Sequence, residues 1–168
     1  MKIISHRGYL NGKDDYLENN PKEIIRILEN TDFDIEVDLW TKDLKWYFGH
    51  DYPKYELSSE EIILLFEYYF DRVWIHCKNF DALDNLSSSK HYLFKNLNYF
   101  WHQEDDFTLT SKQYIWCYPG KFEEDFFGNM VCLDFDLKES EEYYKNLSVC
   151  AICTDYPKKL KEILNKKD

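Results

Sequence analysis

The sequence predicts an α/β fold, and three observations carry that prediction. Short apolar stretches with period-two alternation recur along the chain, separated by segments of helical spacing, which is the pattern of β-α units with parallel pairing. Nearly every such strand starts apolar and ends in a polar or ionisable group: His6; Glu36 and Asp38; His76 and Lys78; His102; Tyr118; Asp134; and Asp155. The third observation is length. A chain of 168 residues makes one domain with a continuous core but is short for eight full β-α units. Ligands of parallel sheets bind at the carboxyl ends of the strands, and in a (β/α) barrel those ends share one mouth. The expectation is therefore a compact, trimmed barrel over residues 1–168, with short or missing helices in its second half.

Taken in order, Lys2–Ser5 reads as a strand that exits through His6-Arg7-Gly8, and residues 9–20 as a polar loop. Asn20-Pro21 supplies an N-cap and a proline at the first helical position, and Ile24, Ile25, Ile27 and Leu28 continue at helical spacing. Asp34–Leu39 is the second strand, followed by a turn at Lys42-Asp43 and an extended Lys45–Phe48. Ser58 and Glu61 form a capping box ahead of an apolar helix, Ile62–Phe70. Val73–Lys78 is the third strand and Asn98–His102 the fourth, with short helices over Phe80–Leu86 and Tyr92–Leu97 between them. Beyond lie short extended pieces, Phe107–Thr110 and Tyr114–Tyr118, and a single helical turn at Glu123–Phe127. Then come a strand, Met130–Phe135, a helix capped by Ser140, the last strand, Val149–Cys153, and a lysine-rich terminal helix.

Composition narrows the functions available. A formal charge of −11 argues against non-specific nucleic-acid binding and against anionic membrane surfaces. An anionic substrate would need a local cation to overcome that field. The chain shows neither a secretory h-region nor a membrane-spanning run. Its 5 cysteines are odd in number and sit in apolar strands, which predicts buried free thiols in a reducing, cytoplasmic setting. Cys150 and Cys153 have C-x-x-C form, but on a strand they face opposite sides, which disfavours a redox or zinc pair. With 18% aromatic residues, and Ala82 and Ala151 the only alanines, rings must supply much of the packing.

On the second strand Glu36 and Asp38 point the same way, roughly 7 Å apart along the strand. Two ionised carboxylates on one face repel, so they need solvent, a proton or a cation. A solvated outer face would satisfy them. The histidines of Ser5-His6-Arg7-Gly8 and Gly49-His50-Asp51 favour the alternative, a metal with acid/base groups beside it. His91 follows three serines and reads as solvated.

Ser5-His6-Arg7-Gly8, Glu18-Asn19, Glu36-Val37-Asp38, Thr41-Lys42-Asp43, Gly49-His50-Asp51 and Thr154-Asp155-Tyr156-Pro157 occur in the order seen in glycerophosphodiester phosphodiesterases. The chain resembles a compact member of that phospholipase-C-like TIM-barrel superfamily, over about residues 3–51 and again at 149–157. The resemblance implies a TIM-type barrel, with His6 and His50 as the acid/base pair and Glu36 and Asp38 as metal ligands. It places Arg7 and Lys78 against the phosphate. The family's third metal ligand, a Glu two residues before that lysine, is His76 here. The implied cofactor is a divalent ion (magnesium, calcium or manganese), and the imidazole makes the site less suited to calcium and shifts it toward manganese or zinc. His102 stands as a further substrate-side group. The insertion usual after the His-Asp motif is absent, which implies a different or more open pocket.

The implied substrate is a small glycerol- or sugar-linked phosphodiester. Water attack and attack by a neighbouring substrate hydroxyl, giving a cyclic phosphate, both stay open. So does a catalytically silent barrel binding a phosphorylated ligand or a partner protein, a reading that the Glu-to-His departure favours and that retention of His6 and His50 opposes.

Overall fold

The computed structural model describes residues 1–88, 94–122 and 128–166. In chain order its strands are β1 (Lys2–Ser5), β2 (Asp34–Lys42), β3 (Lys45–Phe48), β4 (Tyr55–Glu56), β5 (Val73–Cys77), β6 (Asn98–Phe100), β7 (Phe107–Leu109), β8 (Ile115–Cys117), β9 (Met130–Leu133) and β10 (Ala151–Thr154). Among the described residues the α-helices are α1 (Pro21–Asn30), α2 (Ser59–Ile63), α3 (Phe80–Ser88), α4 (Glu141–Asn146) and α5 (Pro157–Asn165).

The spine of the sheet is parallel, in the order β6-β5-β2-β1-β10-β9-β8. Two antiparallel pieces depart from the all-parallel expectation. One is β7, which forms a hairpin with β8. The other is the β3-β4 ribbon, which branches from the far half of β2. Asp43 and Leu44 both take positive φ, 52° and 62°, as a tight two-residue hairpin turn requires.

Strand alternation divides the side chains between two layers. Ile35, Val37, Leu39 and Ile75 face outward into a core shared with α1, α2 and α3. Cys132 and Ile152 do the same with α4 and α5. On the inner side Ile4, Trp74, Phe100, Trp116, Val131 and Cys153 pack together. The sheet is curled like a half-barrel, so residues from its opposite ends meet: Phe100 of β6 stacks on Trp116 of β8 with ring centres 4.5 Å apart. At the same seam Ser111 N–H donates to the Tyr99 carbonyl at 2.8 Å.

Local signals decide where helices start. The Asn20 side chain accepts from the backbone of Lys22 and Glu23, with Pro21 behind it, a cap worth about 1 kcal/mol. The Ser58–Glu61 capping box forms as expected. The helix it opens is shorter than the Ile62–Phe70 pattern suggests: α2 ends at Ile63 and passes into one wide π-type turn, Leu64–Tyr68, that buries Leu65 and Phe66. Of the remaining expectations, the Glu123–Phe127 turn, His91 and part of Tyr92–Leu97 lie outside the described residues.

Candidate active site

Strand β2 sets the frame. Its outward residues are apolar, so Glu36 and Asp38 turn to the inside, where they are 3% and 0% exposed. This excludes the solvated-face reading of the pair. Parallel register sets Asp38 opposite His76 on β5, and His76 opposite Phe100 on β6.

Asp38 is the hub. Its Oδ2 accepts from Asn19 Nδ2 at 2.9 Å, while Asn19 Oδ1 accepts from the Asp38 backbone at the same distance. Arg7 Nε lies 3.1 Å and His50 Nδ1 3.2 Å from that oxygen. The other oxygen, Oδ1, has His76 Nδ1 at 3.0 Å and Lys78 Nζ at 3.5 Å, yet neither is aligned, and Oδ1 is buried without a hydrogen bond. Burial opposes the charge on Asp38, but His50, His76 and Arg7 outweigh it and hold its pKa well below the usual carboxylate range.

Glu36 behaves oppositely. Burial, reinforced by the charge of Asp38, pushes its carboxyl up to about 8. Its one hydrogen bond among the described residues comes from the Arg7 backbone, at 3.2 Å. That amide is presented because Arg7 sits at φ 51°, in the tight turn that follows β1.

His6 emerges from the same turn. Its Nδ1 lies 2.6 Å from Asp155 Oδ1, its ring stacks on Phe135, and Nε2 faces Glu36 at 3.9 Å. A carboxylate can only accept, so Nδ1 carries the proton and Nε2 is left with a lone pair. Burial lowers the His6 pKa despite the opposing bond to Asp155, which keeps the ring neutral near pH 7.

His50 comes from the β3 exit. Gly49 N–H donates to Asp38 O at 3.1 Å, and Gly49 O accepts from Trp40 Nε1 at 2.6 Å, which pins the turn. The ring bridges Asp38 and Arg7, with His50 Nε2 3.2 Å from Arg7 Nη2. His76 packs against both Phe100 and His102, and its Nε2 lies 3.3 Å from the His102 carbonyl. That carbonyl fixes the proton on Nε2, so in the neutral ring the Nδ1 lone pair confronts the orphan oxygen of Asp38. Burial, with His76 alongside, lowers His102 to about 4.

Two lone pairs facing each other at 3.0 Å call for a cation between them or a proton. One ligand atom from each of Glu36, Asp38 and His76 lies within 4.8 Å of the others. The residues present therefore fit a divalent ion, and a set of two carboxylates and one imidazole suits manganese or zinc better than calcium.

His6, Arg7, Glu36, His50, His76, Lys78 and His102 all line one cavity of about 400 Å³, with Asp38 directly behind it. The eight residues singled out in the sequence thus converge. Arg7 is more heavily engaged than a free phosphate ligand, because its Nη1 donates to Glu18 at 2.8 Å as well. Three participants were not assigned a role from sequence: Asn19, which clamps Asp38; Asp155, which orients His6; and Lys13, a third cation on the cavity wall. The first two sat within the quoted motifs. Lys13 lies in a polar loop with no periodic signal.

A curled α/β sheet with ionisable groups gathered at the carboxyl ends of its strands defines the class of fold. The crystal structure of a putative glycerophosphodiester phosphodiesterase from Galdieria sulphuraria has this fold: the two are 18% identical and superpose with a TM-score of 0.50 over 98% of each chain. The motif resemblance is thereby met by a likeness of fold. No protein-family model matches the sequence, and neither does any curated protein.

Proposed function

We propose that the protein is a metal-dependent phosphodiesterase, a phosphoric diester hydrolase acting on a small glycerol- or sugar-linked phosphodiester. The observation that carries this reading is the convergence of four histidines, the buried Glu36 with Asp38 behind it, and three cations on one cavity in a chain whose net charge is −11. Glu36, Asp38 and His76 would hold the divalent ion, which supplies positive charge to a phosphodiester that otherwise repels a nucleophile. Arg7, Lys13 and Lys78 bind and orient the anion. His6, neutral and held by Asp155, takes the proton from water as its oxygen bonds to phosphorus. His50, whose Nε2 accepts from Arg7 at rest, takes up a proton from solvent when substrate draws Arg7 away and delivers it to the alkoxide as the ester bond breaks. Each such transfer is worth about 10²–10⁴-fold. The same residues serve attack by a substrate hydroxyl to give a cyclic phosphate, and product analysis separates the two.

The five cysteines are all unpaired, and burial raises Cys77 to about 12, as suits inert thiols in a reducing compartment. Among the described residues no helix is long and apolar enough to cross a membrane. A cytoplasmic location is part of the proposal, as is the absence of a nucleic-acid partner.

Hydrolysis of bis(p-nitrophenyl) phosphate and of glycerol-based diesters, with several divalent ions, tests the proposal. His6→Ala and His50→Ala should each abolish turnover while thermal unfolding stays cooperative. Activity persisting in both variants would remove the acid/base assignment and return the silent-barrel reading.

A further inference from the structure

The sheet order divides the cavity wall into two unlike halves. The middle strands β5, β2 and β1 contribute Glu36, His76 and Lys78 with His6 and Arg7, joined by Lys13 and His50 from loops. The far strands β6, β8 and β9 are brought round by the curl and contribute Phe100, Trp101, Trp116, Tyr118 and Phe135, with the His102 imidazole beside them. Trp101 is half-buried, and Tyr118 at 44% exposure stands at the rim. Resting on the phosphodiester reading, we infer that the aromatic half is an alcohol subsite, and that the alcohol it takes is a neutral hydroxylated ring, a saccharide or cyclitol, rather than an open-chain or cationic group.

Three features select that class. Flat rings bury the C–H face of another ring efficiently, whereas an open polyol loses rotamer freedom for the same contact. Aromatic walls also attract ammonium groups, but among the described residues the cavity lining offers a cation no carboxylate on that half, while Arg7, Lys13 and Lys78 share the cavity and repel it. The polar groups on that half include the Gln103 amide and the Tyr118 hydroxyl, both neutral and both able to pair with ring hydroxyls. Size agrees: about 400 Å³ is near the small end for ligand pockets and holds a phosphate and one ring, not an acyl chain.

Calorimetric titration of the full chain with manganese present, using myo-inositol 1-phosphate, glycerol 3-phosphate and phosphocholine, tests this without requiring turnover. The ring phosphate should bind about tenfold tighter than the other two. Trp101→Ala should erase that preference and leave glycerol 3-phosphate affinity unchanged. Tyr118→Phe, which keeps the ring and should fold normally, should weaken only the ring phosphate. Equal affinities, tighter phosphocholine, a preference indifferent to both variants, or no binding at all would each overturn the subsite. Hydrolysis of simple diesters alongside normal binding of all three monoesters without a ring preference would defeat this inference and leave the phosphodiesterase reading standing. Ring preference without hydrolysis of any diester would do the reverse.

Discussion

Asp38 takes contacts from three separate segments of the chain, and its neighbours explain why sequence reasoning reached some partners and not others. Glu36, Asp38, His6 and His50 were legible because an E-x-D alternation inside an apolar strand, with histidines just beyond strand ends, is unusual chemistry for a core. Asn19 was not, since a buried asparagine at φ 55° that clamps the Asp38 backbone is indistinguishable in sequence from a loop asparagine. Asp155 was visible as a polar strand end, but its partner lies 149 positions away and only the β1-β10 pairing brings them together. That pairing yields a residue-level expectation. Asp155→Asn keeps the size of the side chain and removes the charge that fixes the His6 tautomer. Turnover should fall by roughly 10²–10⁴-fold with little change in substrate affinity, as read from separate kcat and KM values. An unchanged kcat would show that His6 needs no orienting carboxylate.

Elements were easier to read than contacts, because caps and alternation are local. The Asn20 and Ser58 caps, the strands β1, β2, β3, β5 and β6 and the terminal helix all fall where their patterns put them. The misses are tertiary. Leu64–Tyr68 has helical spacing, yet burying Leu65 and Phe66 together widens it into a π-type turn. The β3-β4 ribbon gained its second strand from the proline-containing segment after His50, which has no strand alternation of its own, since Tyr55 and Glu56 find partners in Phe48 and Tyr47. The ribbon matters because its exit carries His50. A Cβ added at Gly49, where φ is 154°, would lie 2.2 Å from the Tyr52 carbonyl oxygen and 2.9 Å from Lys54 N, both backbone atoms that cannot swing aside. Gly49→Ala should therefore cost roughly 1–3 kcal/mol in denaturant unfolding and displace His50. Activity should drop well beyond the stability loss, and wild-type kinetics in that variant would refute the ribbon's positioning role.

At the scale of the molecule, the alternation of strands and helices foretold an α/β sheet with its site at one end, and the short second half foretold the reduced helices. How far the sheet would curl was not legible, because that depends on contacts between β6 and the β7-β8 hairpin, which no local pattern encodes. Ser111 carries much of that seam: its Oγ donates to Leu97 O and accepts from Tyr99 N–H, both at 3.0 Å. Ser111→Ala should lower stability by about 1 kcal/mol, measured by denaturant midpoint, and loosen the aromatic half of the cavity. The curl brings cations and rings to face each other across a strongly acidic molecule, and the proposed function requires one further positive charge. Calorimetric manganese titration of wild type, Glu36→Gln and Asp38→Asn tests this most directly, run at pH 7 in buffers of differing ionisation enthalpy. Because the Glu36 carboxyl is raised to about 8, it is mostly protonated at that pH, and a cation binds only its ionised form. The wild type should bind one ion and release protons as it does so. Both variants should bind far more weakly, and Glu36→Gln should release about one proton fewer than wild type. Equal affinity in all three proteins, or no binding by the wild type, would contradict a cation held by Glu36, Asp38 and His76.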